Sequence, residues 1–246
     1  MKLILLVLCL VEYIFVVNSA AIPSYITPCH KSDPNFRKCC IENGNKALPH
    51  LMNGDKSIKL PVLSPFKLDK VEVNSGPNLK ITLTDISLYG FDTSTLKDLL
   101  FDFDNKIIEI TMHSDMVQLI GTYDIKGKIL VLPITGNGPA NITIHDGIFK
   151  YKVSYKMEKR GGFDYVKLDQ KNDKLDFTIT EAYFQLDNLF EGNKAMGDNV
   201  NKFLNANQQD VLKEVGGAIS GTVRAIAYTV GNAVLSNIPY DQLFLD

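Results

Sequence analysis

The chain lacks the features that announce a specialised partner. Its 26 basic and 28 acidic residues leave a formal charge of −2 over 246 residues. That near-balance excludes the basic excess of a nucleic-acid surface and strong attraction to anionic membranes. Beyond the N-terminus no apolar run is long enough to cross a bilayer, so stable membrane insertion is not expected. Low-complexity tracts and internal repeats are absent. Cysteine is scarce, at four residues, and no C-x-x-C spacing suggests redox work.

Catalytic and cofactor motifs are missing too. His30, His50, His113 and His145 stand in no recognised metal-binding spacing. Asp102-Phe103-Asp104-Asn105 begins like a calcium loop but lacks its glycine and closing glutamate, and reads as a solvated turn. Gly136-Asn137-Gly138 runs into Pro139, fails the dinucleotide fingerprint and also reads as a turn. No serine sits in Gly-x-Ser-x-Gly. Neither metal nor cofactor is expected, and the chain does not read as an enzyme; a lipid-ester hydrolase would have to assemble its nucleophile and base from distant residues.

What is present begins with Lys2, an apolar run over 3–17 and small residues before Pro23, the pattern of a secretory signal peptide. Residues 1–20 are assigned to it, with cleavage after Ser19, Ala20 or Ala21, leaving 21–246 as a single secreted, extracellular domain. Cys9 leaves with the signal. Cys29, Cys39 and Cys40 remain, enough for one disulfide from Cys29 to either neighbour in an oxidising compartment. Such a short loop contributes about 2–3 kcal/mol. Asn141-Ile142-Thr143 is the one N-glycosylation acceptor.

Asp33-Pro34 predicts a helix over about 34–48, stopping before Pro49. From about 57 to 186 apolar and polar residues alternate, as in Leu79/Ile81/Leu83 and Phe149/Tyr151/Val153/Tyr155, which predicts antiparallel strands with one dry face. Gly161-Gly162 and Lys171-Asn172-Asp173 read as hairpin turns; 96–103 is either a short helix or a link. From about 207 to 236 the period becomes helical, giving a stripe that includes Val211, Val215, Ile219, Val223, Ile226 and Val230. Thirty helical residues would span about 45 Å. Gly216, Gly217, Gly221 and Gly231 lie inside it, where each costs about 1 kcal/mol against alanine, so close approach of another backbone or a ligand is expected there. The fold class is α+β, with a curved sheet wrapped on one long helix and an interior that it underfills.

Several segments resemble the takeout and juvenile-hormone-binding proteins of insects. They are 22–26 with 29–39, the stretch Tyr123 to Gly138, residues 189–193 with 199–205, and 237–244. The resemblance implies a tubular lipid-binding fold with a short N-terminal helix and an internal hydrophobic tunnel. It implies a secreted carrier for a terpenoid such as juvenile hormone, a fatty acid or a similar lipid, and a Cys29–Cys39 bridge. Cys40 then departs from the apolar residue usual at its place. Candidate tunnel-lining residues are Val215, Ile219, Val223, Ile226 and Val230 on the helix, with Phe149, Tyr151, Val153, Phe177 and Ile179 on the strands. Tyr151 and Tyr155 are candidates to offer a hydroxyl. The rival reading is an interaction or signalling protein without cargo, acting on an unidentified receptor.

Overall fold

The computed structural model describes residues 22–74 and 79–246; the expected signal peptide lies outside them. A two-residue strand β1 (Cys29–His30) leads into helix α1 (Phe36–Met52). Strands β2 (Phe66–Asn74), β3 (Leu79–Tyr89), β4 (Thr95–Asp102), β5 (Ile107–Ile129), β6 (Leu132–Arg160) and β7 (Phe163–Leu186) follow. The chain ends in α2 (Lys194–Ala206), α3 (Gln208–Asn237), α4 (Tyr240–Leu243) and β8 (Phe244–Leu245), which pairs in parallel with β1. The large sheet is antiparallel, in the order β2-β3-β5-β6-β7. Strand β4 pairs with the first half of β5, and β3 with its second half.

The long strands explain the curvature. At 29 residues β6 would reach about 95 Å if straight, twice the length of α3, so it must bend. The inward-facing residues change parity along each strand: Ile81 and Leu83 give way to Ile86 and Leu88, and Ile142 and Ile144 to Phe149 and Tyr151. The switch falls on Asp85 and Asp146, whose φ angles are +53° and +54°. Left-handed backbone at a short acidic residue leaves two successive side chains outside and turns the strand. Asp146 and its cross-strand neighbours Asp115 and Thr180 all drop out of the ladder register, so one crease crosses β5, β6 and β7.

Helices α2 and α3 seal the open edge of β7. The Asn201 side chain accepts from Leu186 N–H at 3.0 Å and donates to Leu186 C=O at 2.9 Å. One helical turn on, Asn205 does the same to Phe184, at 2.7 and 3.0 Å. Gln208 then accepts from Ala182 N–H, and Gln209 donates to the Thr180 carbonyl at 2.9 Å. Four helical residues rise about 6 Å and two strand residues about 6.6 Å. Asparagines four apart therefore meet alternate strand residues and satisfy an edge otherwise open to pairing.

Several sequence expectations change. The first helix starts at Phe36 and runs through Pro49 to Met52, because the proline lies on the exposed side of the last turns. Asp33 accepts from Asn35 N–H at 2.7 Å, making a turn ahead of the helix rather than its cap. Residues 96–103 fall largely in β4. Gly136 and Gly138 lie inside β6, and the turn is Leu130-Val131; a Cβ on Gly138 would stand 2.6 Å from the Asp187 carbonyl, so the glycine serves a chain crossing. Gly161-Gly162 is a hairpin turn as expected, but Lys171-Asn172-Asp173 is a bulge inside β7. There Val153 of β6 faces residues 170–173, between the pairs Lys152–Lys174 and Ser154–Asp169. Among the helix glycines, Gly216 and Gly231 meet Phe177 and Leu168, whereas nothing approaches Gly217 or Gly221 within 4 Å. The long helix does not fill the sheet alone, since Val200 and Leu204 of α2 join the same core cluster as Val211 and Leu212.

Cys29 and Cys39 are bonded, with Cα atoms 6.1 Å apart. Cys40 is a buried free thiol, pushed up to about 11 by burial. Phe36, Phe101, Phe103, Tyr240 and Phe244 pack in mostly edge-on and tilted pairs at centroid distances from 4.9 to 6.4 Å and close one end of the molecule.

Candidate functional site: an apolar chamber under the long helix

The interior divides into two unequal halves. Toward the disulfide end, Tyr151, Val153, Tyr155, Val166 and Leu168 pack solidly against α1 and the C-terminal residues. The other half is hollow. It holds about 1200 Å³ of space free of protein atoms, part of it open to solvent. The enclosed cavity is about 160 Å³, the scale of an apolar void that stays dry and takes up a hydrocarbon.

Each wall follows from the parity of its element. Helix α3 contributes Val211, Leu212, Val215, Ala218, Ile219, Thr222 and Val223, a stripe with spacings of one, three and four. Strands β2 and β3 add Leu68 and Val71, then Ile81, Leu83, Ile86 and Leu88. Strand β5 adds Val117, Leu119, Tyr123, Ile125 and Ile129, and β6 adds Ile142, Ile144 and Phe149. Among the described residues, the wall includes no lysine, arginine, histidine or carboxylate. Tyr123 carries a hydroxyl, but it donates to the Asp187 carbonyl at 2.7 Å, and burial pushes it up to about 12. Thr222 holds the other hydroxyl of the wall.

Of the residues singled out in the sequence, Val215, Ile219, Val223 and Phe149 stand together on this wall. Ile226 packs instead with Ile86 and Leu88, and Val230 against the solid half. Tyr151 and Val153 are core of that half. Phe177 and Ile179 belong to the core around the chamber, Phe177 with its ring 6.4 Å from Phe149. Sequence reasoning missed the contributions of β2, β3 and β5. The alternation at 71/73 and 79/81/83 marked a dry face, but nothing in it distinguishes a wall from a filled core.

A buried polar group lies just past the chamber. The β7 bulge turns Asp173 inward until its side chain has 0% exposure, and there it pairs with Arg224 of α3, 36% exposed. Tyr151 donates to Asp173 Oδ2 at 2.8 Å, and Arg224 Nε to the same oxygen at 3.1 Å. Burial first, and the Asp173 contact second, hold the Tyr151 hydroxyl well above its ordinary range. The Tyr151 hydroxyl is thus committed to protein.

Outside, at the crease, His113 Nε2 meets Asp146 Oδ1 at 2.7 Å and His113 Nδ1 lies 3.5 Å from Asp115. Thr180 Oγ1 donates to Asp146 Oδ2 at 2.7 Å. The hydroxyl rests on the carboxylate rather than on the imidazole, so this arrangement gives no activated nucleophile. These groups lower the Asp146 carboxyl, the His113 contact most. Asn141 is exposed inside β6, its Oδ1 accepting from Gln118 Nε2 at 2.9 Å.

The sequence profile of haemolymph juvenile hormone binding proteins matches residues 3–245. The chain belongs to that family. It is 24% identical over 237 residues to the circadian clock-controlled protein daywake of Drosophila melanogaster, covering 92% of this chain and 89% of that one. It is 20% identical over 215 residues to a Schistocerca gregaria protein provisionally described as beta-carotene-binding, covering 87% and 85%. The crystal structure of Epiphyas postvittana Takeout 1 superposes with a TM-score of 0.76 at 26% identity, covering 89% of this chain and 99% of that one. The curved antiparallel sheet with a long C-terminal helix is therefore the takeout fold. Members of the family are hydrophobic-ligand binding proteins, and among the described residues of this one no helix is long and apolar enough to cross a membrane.

Proposed function

We propose that this protein is a secreted carrier of a small neutral lipid, an ester, alcohol or ketone of terpenoid type, held in the chamber beneath α3. The observation that carries the reading is the wall: a continuous apolar surface without a charged side chain among the described residues. Each methylene buried there contributes about 0.8 kcal/mol. Ten contribute roughly 8 kcal/mol, near micromolar affinity before ordering costs. A carboxylate inside would meet no cation, and burying it unpaired costs more than several methylenes return. A free fatty acid therefore binds less well than its methyl ester. The Thr222 hydroxyl is the wall group that a neutral head would meet. Secretion is supported by the N-terminal pattern and by the haemolymph family, and a glycan at Asn141 would sit on the outer face of the sheet without blocking the chamber.

Native mass spectrometry of the protein secreted from insect cells, before and after organic extraction, tests the reading. Treatment with peptide N-glycosidase beforehand removes any glycan mass from the comparison. A mass difference equal to a neutral lipid is expected. Absence of bound lipid, together with no binding of terpenoid esters or fatty acid esters, would overturn it in favour of a cargo-free interaction protein.

A further inference from the structure

Toward the solid half the chamber wall ends on α3, β5 and β6 alike. On α3 the wall runs from Val211 to Val223, and the next inward residue, Ile226, is packed core. On β6 it reaches Phe149, whereas Tyr151, Val153 and Tyr155 fill the solid half. On β5 it begins at Val117, and Ile108, Ile110 and Met112 lie beyond it. Phe149 is a large side chain at that boundary on the long strands, and Phe91 is another between β3 and β4. The Phe149 ring lies back over Gly147, where a Cβ would stand 2.8 Å from Phe149 Cε2, and against the ring of Phe177. Tyr151, two residues on along the same strand face, joins the ion pair of Asp173 with Arg224. An apolar chain pushed past Phe149 would have to displace packed core and part a buried charge from its partners.

We propose that Phe149, seated on Gly147 and backed by the Tyr151–Asp173–Arg224 group, is the end wall that sets the length of ligand this protein accepts. The inference rests on the carrier reading above and makes it quantitative. The twelve residue steps of α3 from Val211 to Val223 rise about 18 Å, and Leu204 of α2 carries the wall further. An extended hydrocarbon advances roughly 1.25 Å per carbon, from bonds of about 1.52 Å at about 111°. The chamber therefore takes a chain of at least about 14 carbons. A sesquiterpenoid or a medium-length ester lies within that length.

The test is a series of fatty acid methyl esters from 8 to 22 carbons, with affinity measured by displacement of a fluorescent apolar probe. For wild type, affinity rises about fourfold per added methylene, the equivalent of about 0.8 kcal/mol, and levels off or falls at a length of 14 carbons or more but below 22. Phe149→Ala moves the break outward by three to four carbons, since Ile226 lies about 4.5 Å beyond Val223 along the axis. Phe149→Leu, which keeps an apolar side chain and disturbs packing less, moves it in the same direction by less. Val153→Ala, on the same strand face but outside the chamber, leaves the break where it was. If wild type binds no ester of any length, the carrier reading fails. If wild type binds but shows no break up to 22 carbons, or the break stays fixed in both folded Phe149 variants, the end-wall inference is overturned while the carrier reading stands.

Discussion

Replacing Arg224 by methionine isolates the buried ion pair. The change leaves Asp173, with 0% side-chain exposure, facing Tyr151 alone. Removing one partner of a fully buried pair costs about 3–5 kcal/mol, because the other charge is stranded. Arg224 is 36% exposed, so water already screens part of the interaction, and the expected loss is about 2–3 kcal/mol. For a domain of this size that lowers Tm by about 4–12 °C. The companion variant Tyr151→Phe/Asp173→Leu/Arg224→Met replaces the whole group with apolar side chains and should come within about 1 kcal/mol of wild type. Urea unfolding followed by circular dichroism, with Tm as a second readout, measures both. An Arg224→Met protein within about 0.5 kcal/mol of wild type would refute the reasoning. So would a triple variant as unstable as the single one, since the penalty would then not come from a stranded charge.

The glycines predict opposite signs. Gly217→Ala meets nothing within 4 Å and should stabilise by about 0.5–1 kcal/mol through helix propensity. Gly138→Ala puts a Cβ 2.6 Å from the Asp187 carbonyl and should destabilise by about 1–3 kcal/mol; denaturant titration of the pair checks both. Cys40, buried and pushed up to about 11, should resist iodoacetamide at pH 8 in the folded protein and react fully in guanidinium; rapid labelling of the native state would show a more open first helix. Arg37 lowers the Asp98 carboxyl through a direct hydrogen bond. Because the folded group titrates below the unfolded one, its stabilisation is present above about pH 4 and lost as pH falls further. Asp98→Asn should therefore lower Tm at pH 7 and converge with wild type near pH 2, and a constant gap across that range would reverse the assignment.

Much of the architecture is legible in the sequence because period reports burial directly. The 30-residue α3 and the parity of Leu79, Ile81 and Leu83 are readable for that reason. The crease went unread, although Ile142 and Ile144 are even-numbered and Phe149 and Tyr151 odd, and the switch at Asp146 is where β6 turns. The turn signals at Gly136 and at 171–173 mislead, because the same residues serve a chain crossing and an inward bulge. Asn201 and Asn205 look like ordinary polar helix residues until β7 lies beside them.

By itself, then, the sequence determined the long C-terminal helix, the run of alternating strands ahead of it and most of their apolar inward faces. Only the tertiary structure decided which inward residues surround empty space. Wall and core draw on the same leucines, valines and isoleucines, and the difference between them is a distance across the interior that no local pattern encodes. It is set by how far the creased sheet stands from α3, and by Phe149 and the Asp173–Arg224 pair, which meet only after β6, β7 and the helix have closed together.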